Sequence, residues 1–254
     1  MMLTTYVFKD IIRNKTLIAY TVLLAAISFG LFSFDANPEK AVLGLLNILL
    51  LVVPLVSIIY SSIYYYNSLE FIELVLAQPV ARKKLFFGLY FGSGLALSLA
   101  FLIGCALPIL LFARDMTGFT LIISGILITW VFNSLAFLAA VISRDKARGI
   151  GMSLLFWFYF TFIYDALVLM ILFSFSDYPI ERGILTLTFL NPIDLIRIIL
   201  LMQLDASALM SFTGAVFSTF LSSGKGLTFC ILALILWSVL PALLAVRTFV
   251  RKDI

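Results

Sequence analysis

Apolar residues run along this chain in long blocks rather than in alternation. Uncharged stretches cover Thr16–Phe34, Ala41–Leu69, Leu85–Ala113, Met116–Ser143 and Gly226–Val246, and a sixth, Gly149–Ser176, is interrupted only by Asp165. A helix needs about 20 mostly apolar residues to cross a bilayer core of about 30 Å, so each block is long enough to span. The longest exceed one crossing, which predicts tilt or helical extension beyond the hydrocarbon. Pro54, Pro108 and Pro241 fall inside blocks and predict kinks, tolerated where neighbours satisfy the freed carbonyls. The fold class that follows is all-α membrane protein: a single transmembrane domain over 1–254 with six spans.

The remaining segments have their own patterns. In Met1–Lys15, Leu3, Val7 and Ile11 recur every four residues with Phe8 and Ile12 beside them, while Lys9, Asp10, Arg13 and Asn14 take the other face. That is the pattern of an interfacial helix lying along a membrane surface. Its charges also precede the first block as a signal peptide's would, but the block outruns an h-region and no small-residue cleavage site follows, so a retained helix is expected. The long connection 177–225 carries Asn191-Pro192-Ile193-Asp194. Asn-Pro starts turns, and Pro at a first helical position with an acid in the first turn favours a helix start. Leu195–Leu204 is too short to span. It is expected to lie at the outer surface or to re-enter slightly, with the whole connection serving as a gate or docking surface.

Charge then orients the chain. With the N-terminus cytoplasmic and six spans, 12 of the 17 Lys and Arg residues fall inside, including Arg82-Lys83-Lys84 and Arg247 to Lys252, and both termini are cytoplasmic. Ala206–Gly224 is uncharged too, but it is rich in Ser, Thr and Gly, and a seventh span would carry the basic C-terminus outside. At 63% hydrophobic and 12% charged, the composition lacks the charge to cover a water-facing surface. The net charge of +4 is set by topology and gives no reason to expect nucleic acid.

Chemistry is sparse. There is no histidine, and Cys105 and Cys230 sit in separate apolar blocks without metal spacing. Neither a metal site nor a catalytic constellation is expected. Met202 and Met210 stand eight apart and form no thioether cluster. Ser222-Ser223-Gly224-Lys225-Gly226 approaches a phosphate-binding loop, but Thr219 occupies the first glycine position and Gly226 the Ser/Thr position. The chain is therefore expected to be no enzyme and to hold no cofactor; any ATP would be bound by a partner subunit. Asp165 is the one full charge within a span. It reads either as a polar group lining a pathway or gate, or as a structural acid hydrogen-bonded to Ser, Thr or backbone near the outer end. After the second span, Glu70-Phe71-Ile72-Glu73-Leu74-Val75-Leu76-Ala77-Gln78-Pro79-Val80-Ala81-Arg82-Lys83-Lys84 opens acidic, closes basic and carries an apolar stripe between. Pro79 ends its helix, and the free apolar face suits a helix that docks in a partner's groove.

The order of parts, and the run Glu73 to Arg82 with Gly88 beyond it, resembles ABC-2-type transporter permeases, whose corresponding segment reads E-L-L-L-x-x-P-x-x-R…G-K. Glu70 and Leu89 depart from that pattern, standing where Gly and Lys are usual. The resemblance implies a coupling helix contacting a cytoplasmic ABC ATPase, with Glu70, Glu73, Gln78, Pro79 and Arg82 in segment 70–84. Within the family, Trp157-Phe158…Asp165 and Leu190-Asn191-Pro192-Ile193-Asp194-Leu195-Ile196-Arg197 are most similar to permeases serving copper-centre maturation of nitrous oxide reductase. That implies an inner-membrane homodimer, a periplasmic accessory protein on the outer segment, and cargo related to copper or sulfur. Asp165, Asn191, Asp194 and Arg197 would then border the pathway or gate. An ABC-2 exporter of a lipid, peptide or drug would share all but the details around 191–197.

Overall fold

A helix satisfies its own backbone hydrogen bonds, which is why apolar blocks of this length become helices wherever water is excluded. The computed structural model describes residues 14–34, 38–78, 80–143, 145–175, 181–203 and 224–251. Six of its helices are long and apolar enough to cross a membrane: Lys15–Phe34, Lys40–Asn67, Arg82–Phe112, Met116–Ile142, Lys146–Ser174 and Gly226–Arg251. Among the described residues the remaining regular structure is also helical, as Leu69–Leu76, Glu181–Phe189 and Pro192–Gln203. Most of the expected interfacial helix, up to residue 13, lies outside the described residues. So do Pro79, the body of the rejected seventh span, and residues 204–223 of the long connection.

The fourth span is the central post. In its most apolar stretch 72% of residues are buried, against 17% for the fifth span, and among the 27 residues of Met116–Ile142 there is no charged side chain. One amide stands in that post. Asn133 is fully buried and accepts from Ser61 Oγ of the second span at 2.7 Å and from Ser93 Oγ of the third at 3.0 Å. Its Nδ2 donates to the Tyr90 carbonyl at 3.3 Å, and Tyr90 in turn meets Ser134 at 2.7 Å. Hydrogen bonds between polar side chains join helices where lipid offers no competing partner, so this network links spans two, three and four.

An aromatic cluster completes the frame at the basic end of the bundle. Phe86 lies 5.6 Å from Phe137 and 5.4 Å from Phe249, with Tyr65 at 5.9 Å from Phe137. Edge-to-face and tilted pairs of this kind add to the area they bury. Nearby, Tyr66 donates to the Ala140 carbonyl at 3.1 Å and Lys146 to Asn67 at 2.9 Å.

Spans one and five hang on this frame. The first approaches the third at Gly104, where an added Cβ would lie 2.7 Å from Leu24 Cβ. The fifth approaches the second at Gly149, where an added Cβ would fall on the Tyr66 hydroxyl. Farther along, Ser62 and Ser153 pair at 2.6 Å, and Trp157 donates to the Leu51 carbonyl at 3.3 Å, in the turn that Pro54 opens. Both the third and fifth spans contain a π-turn, at Leu102–Ala106 and Tyr159–Ile163. The first precedes Pro108, whose missing N–H leaves the carbonyl four residues earlier without its α-helical donor.

Of the two placements expected for this segment, at the outer surface or re-entering, burial excludes the first for Pro192–Gln203. It is no surface helix: Ile193, Leu195, Ile196, Ile199 and Leu200 are buried, and it packs against spans two, four and six. Burial follows from its sequence, because Pro192–Leu201 carries only Asp194 and Arg197 as charges, and both find partners.

Candidate functional site

Two places in the fold collect the charged residues singled out by sequence, one at each end of the bundle.

At the basic end, the turn at Ser68 leads into Leu69–Leu76, with Ser68 Oγ bonded to the Tyr64 carbonyl at 2.8 Å. Glu70, Glu73, Leu74 and Ala77 recur at i, i+3, i+4 and i+7 and therefore share one face. All four are exposed, Leu74 by 70%. Ile72 on the opposite side is fully buried and anchors the helix to the bundle. Gln78, just beyond the helix, is exposed as well. Arg82 belongs to a different arrangement. It is half-buried at the start of the third span, and its Nη1 donates to the Val250 carbonyl at 3.2 Å, at the C-terminal end of the last span. Cations are favoured at that end of a helix, where carbonyls lack intrahelical donors. The structure thus puts Glu70 and Glu73 on one exposed face, leaves Gln78 exposed just beyond it, and gives Arg82 a contact within the bundle.

At the opposite end, the Asn-Pro helix start forms as the sequence predicts. Asn191 is its N-cap: Oδ1 accepts from Ile193 N–H at 3.0 Å, its carbonyl accepts from Leu195 N–H at 3.1 Å, and Pro192, having no N–H, needs no acceptor there. The other half of the amide turns outward from the helix. Asn191 Nδ2 donates to Asp194 Oδ2 at 3.0 Å and to the Phe160 carbonyl at 3.0 Å, inside the π-turn of the fifth span. Tyr164 Oη donates to the Leu187 carbonyl at 2.5 Å, and Trp237 Nε1 of the sixth span to the Phe189 carbonyl at 3.1 Å.

Arg197 closes the arrangement. Its Nη1 donates to Asp194 Oδ1 at 2.8 Å and to Asp165 Oδ2 at 2.9 Å. The side chains of Asp194, Asp165 and Arg197 are 13%, 30% and 32% exposed, so this is no solvent-screened surface pair. Burial, the larger cause, pushes the Asp194 carboxyl up to about 7; Asp165 adds to the shift while Arg197 and Asn191 oppose it. The four residues proposed from sequence for this end, Asp165, Asn191, Asp194 and Arg197, are in one hydrogen-bonded cluster. Of the two readings of Asp165, a group lining a pathway or gate and a structural acid bonded to Ser, Thr or backbone, neither named its partner, which is a basic residue 32 positions away. A signal existed, since Asp165 is the one charge of its apolar segment and Arg197 the one base of Pro192–Leu201, and intramembrane charges pair.

Among the described residues no three His, Cys, Asp or Glu side chains converge on a point where a metal ion could sit. Cys105 and Cys230 are both free and buried, Cys105 against Ser28 Oγ at 3.4 Å. Sequence reasoning missed Asn133 and Trp157 as ties between spans and Trp237 as a tie from the sixth span to the helix Glu181–Phe189; each is a polar group in an apolar run.

Comparison with known proteins follows the same outline. Residues 71–254 match the family described as ABC-2 family transporter protein. The probable ABC transporter permease protein NosY of Pseudomonas aeruginosa is 30% identical over 220 residues, covering 78% of this chain and 80% of that protein. The corresponding protein of Stutzerimonas stutzeri, described in the same words, is 28% identical over 222 residues with the same coverage.

Proposed function

The chain belongs to the ABC-2 family of transporter proteins, and from that premise we propose how it works. It is a multi-pass permease subunit of an ABC transporter. In our reading it sits in a bacterial inner membrane with its basic end in the cytoplasm, forms a homodimer and carries no cofactor of its own. A separate cytoplasmic subunit binds and hydrolyses ATP and pushes on Leu69–Leu76. The observation that carries this reading is the exposed stripe of Glu70, Glu73, Leu74 and Ala77 on a helix whose other face, through Ile72, is fixed in the bundle. A partner gripping that stripe moves the ends of spans two and three directly, because the helix joins them. Glu73→Arg and Leu74→Asp should each lower stimulation of the ATPase several-fold in reconstituted complexes, with membrane insertion unchanged. Full stimulation by both variants would refute the assignment.

The finer reading assigns the transporter to maturation of nitrous oxide reductase, moving a copper- or sulfur-related species with a periplasmic accessory protein on the connection between spans five and six. It is supported by the similarity to NosY and by the convergence of Asp165, Asn191, Asp194 and Arg197, the residues that carry the resemblance, into one cluster. A strain lacking this permease should make nitrous oxide reductase deficient in copper, restored by the intact gene. Fully loaded enzyme in the deletion strain would leave the permease role standing and remove the cargo.

A further inference from the structure

Asp165, Asp194 and Arg197 bring two carboxylates against one guanidinium, an odd charge balance in a place that water only partly reaches. One nitrogen, Arg197 Nη1, serves both acids at 2.9 and 2.8 Å. A proton on either carboxyl would leave one acid paired with Arg197 and give the other a hydroxyl to donate, which balances the cluster at no geometric change. We propose that the three side chains form a proton-binding site whose occupancy sets how firmly the helix Pro192–Gln203 is latched to the fifth span.

The surroundings favour this. Asp194 faces Arg197 and Asn191 on its own side, and Asp165 and Tyr164 on the fifth span. The fourth span, packed along the helix, has no charge over Met116–Ile142. On the second span Lys40 is exposed at its start, and on the sixth Arg247 and Arg251 are exposed toward its far end. The side chains of Glu39, Glu181, Arg182 and Lys225 lie outside those described. Burial has already moved the Asp194 carboxyl up to about 7, within reach of ordinary changes in pH. The other ties, Asn191 to Phe160 and Tyr164 to Leu187, are between neutral groups, so only the ionic part of the latch answers to protons.

The sign follows from linkage. Releasing the helix exposes Asp194 to water, where its carboxyl returns to the ordinary range, so the closed state binds the extra proton. The latch is therefore strongest at low pH, and it weakens as pH rises toward about 7, by up to about tenfold in the opening constant per pH unit, levelling off above. This holds whichever cargo moves and whether or not a partner docks nearby.

Hydrogen exchange on the full-length protein in lipid nanodiscs tests it. Backbone amides of 187–203 would be followed from about pH 5 to about pH 9, with rates corrected for intrinsic chemical exchange and amides of the fourth span as the internal reference. In the native protein, opening of 187–203 should rise with pH as stated, while the reference stays level. Asp194→Asn, which resembles the protonated acid, should remove the rise and leave the segment protected throughout. Asp165→Asn, which takes away the competing charge, should move the rise to lower pH. The infrared carbonyl band of a protonated carboxyl should appear at the acid end in the native protein and shrink in Asp194→Asn, a readout independent of how tightly either variant packs. A level native profile overturns the proposal, as does the same rise in Asp194→Asn or an unmoved one in Asp165→Asn.

Discussion

Replacing Asn191 tests how the connection between spans five and six is held. Asn191→Ala removes three things at once. The first is the cap oxygen on Ile193 N–H, worth about 1 kcal/mol. The second is the donor to the Phe160 carbonyl, a buried acceptor whose loss costs about 1–3 kcal/mol if nothing replaces it. The third is the bond to the Asp194 carboxyl within the same first turn, a local hydrogen bond worth about 0.5–1.5 kcal/mol. Because Asn191 is fully buried, water cannot readily step in, and a total of about 3 kcal/mol is expected. Asn191→Ser separates the parts. Its hydroxyl can still cap the helix but cannot reach both former acceptors, so it should lose about 2 kcal/mol and sit between the native protein and Asn191→Ala. Equilibrium unfolding of the purified protein in mixed micelles would give the two differences, with tryptophan fluorescence as the probe, since Trp237 bonds to Phe189 beside the cap. If Asn191→Ala falls within about 0.5 kcal/mol of the native protein, the cap and the bridge to the fifth span contribute nothing, and the reasoning fails.

Two further outcomes test the frame. Asn133→Ala strands Ser61, leaves Ser93 only its bond to the Tyr90 carbonyl, and should cost about 2 kcal/mol by the same unfolding measurement, at about 0.6 kcal/mol for each of three bonds plus the space left behind. Gly149→Ala forces Tyr66 aside and should destabilise by about 1–3 kcal/mol, and a Tyr66→Phe background should recover part of that loss; equal losses in both backgrounds would contradict the contact.

The spans were legible because their signal is length and the absence of charge, and both survive without knowledge of packing. All six blocks coincide with spans to within a few residues. The stripe on Leu69–Leu76 was legible for a related reason: i, i+3 and i+4 spacing holds on any regular helix. What the helix Pro192–Gln203 does was less legible. Its start could be read from Asn191-Pro192, but ten residues of mostly apolar sequence fit a membrane surface and a bundle interior equally well. The choice depended on a contact with Asp165 far away in sequence. Asn133 escaped notice because one amide in 27 residues changes no hydropathy average, although its three bonds tie three spans together.

The π-turn in the fifth span has a consequence for rotational phase. An α-helix advances about 100° per residue, so an unbroken helix would place Asp165 about 120° around from Ser153, the residue that meets the second span. A π-turn takes up one extra residue without advancing the register. With Tyr159–Ile163 wound that way, Asp165 returns to within about 20° of the Ser153 line, and Trp157 lies about 40° from that line. One helix thus shows the same face along its length, neutral toward the second span and acidic toward Arg197. If the turn were wound as α-helix, the half of the span after it would be rotated by about 100° relative to the half before it, and Asp165 would leave Arg197 while Ser153 kept its partner. The extra residue therefore sets the phase between the two ends of the fifth span, so that Ser153 and Asp165 meet different partners from nearly the same face.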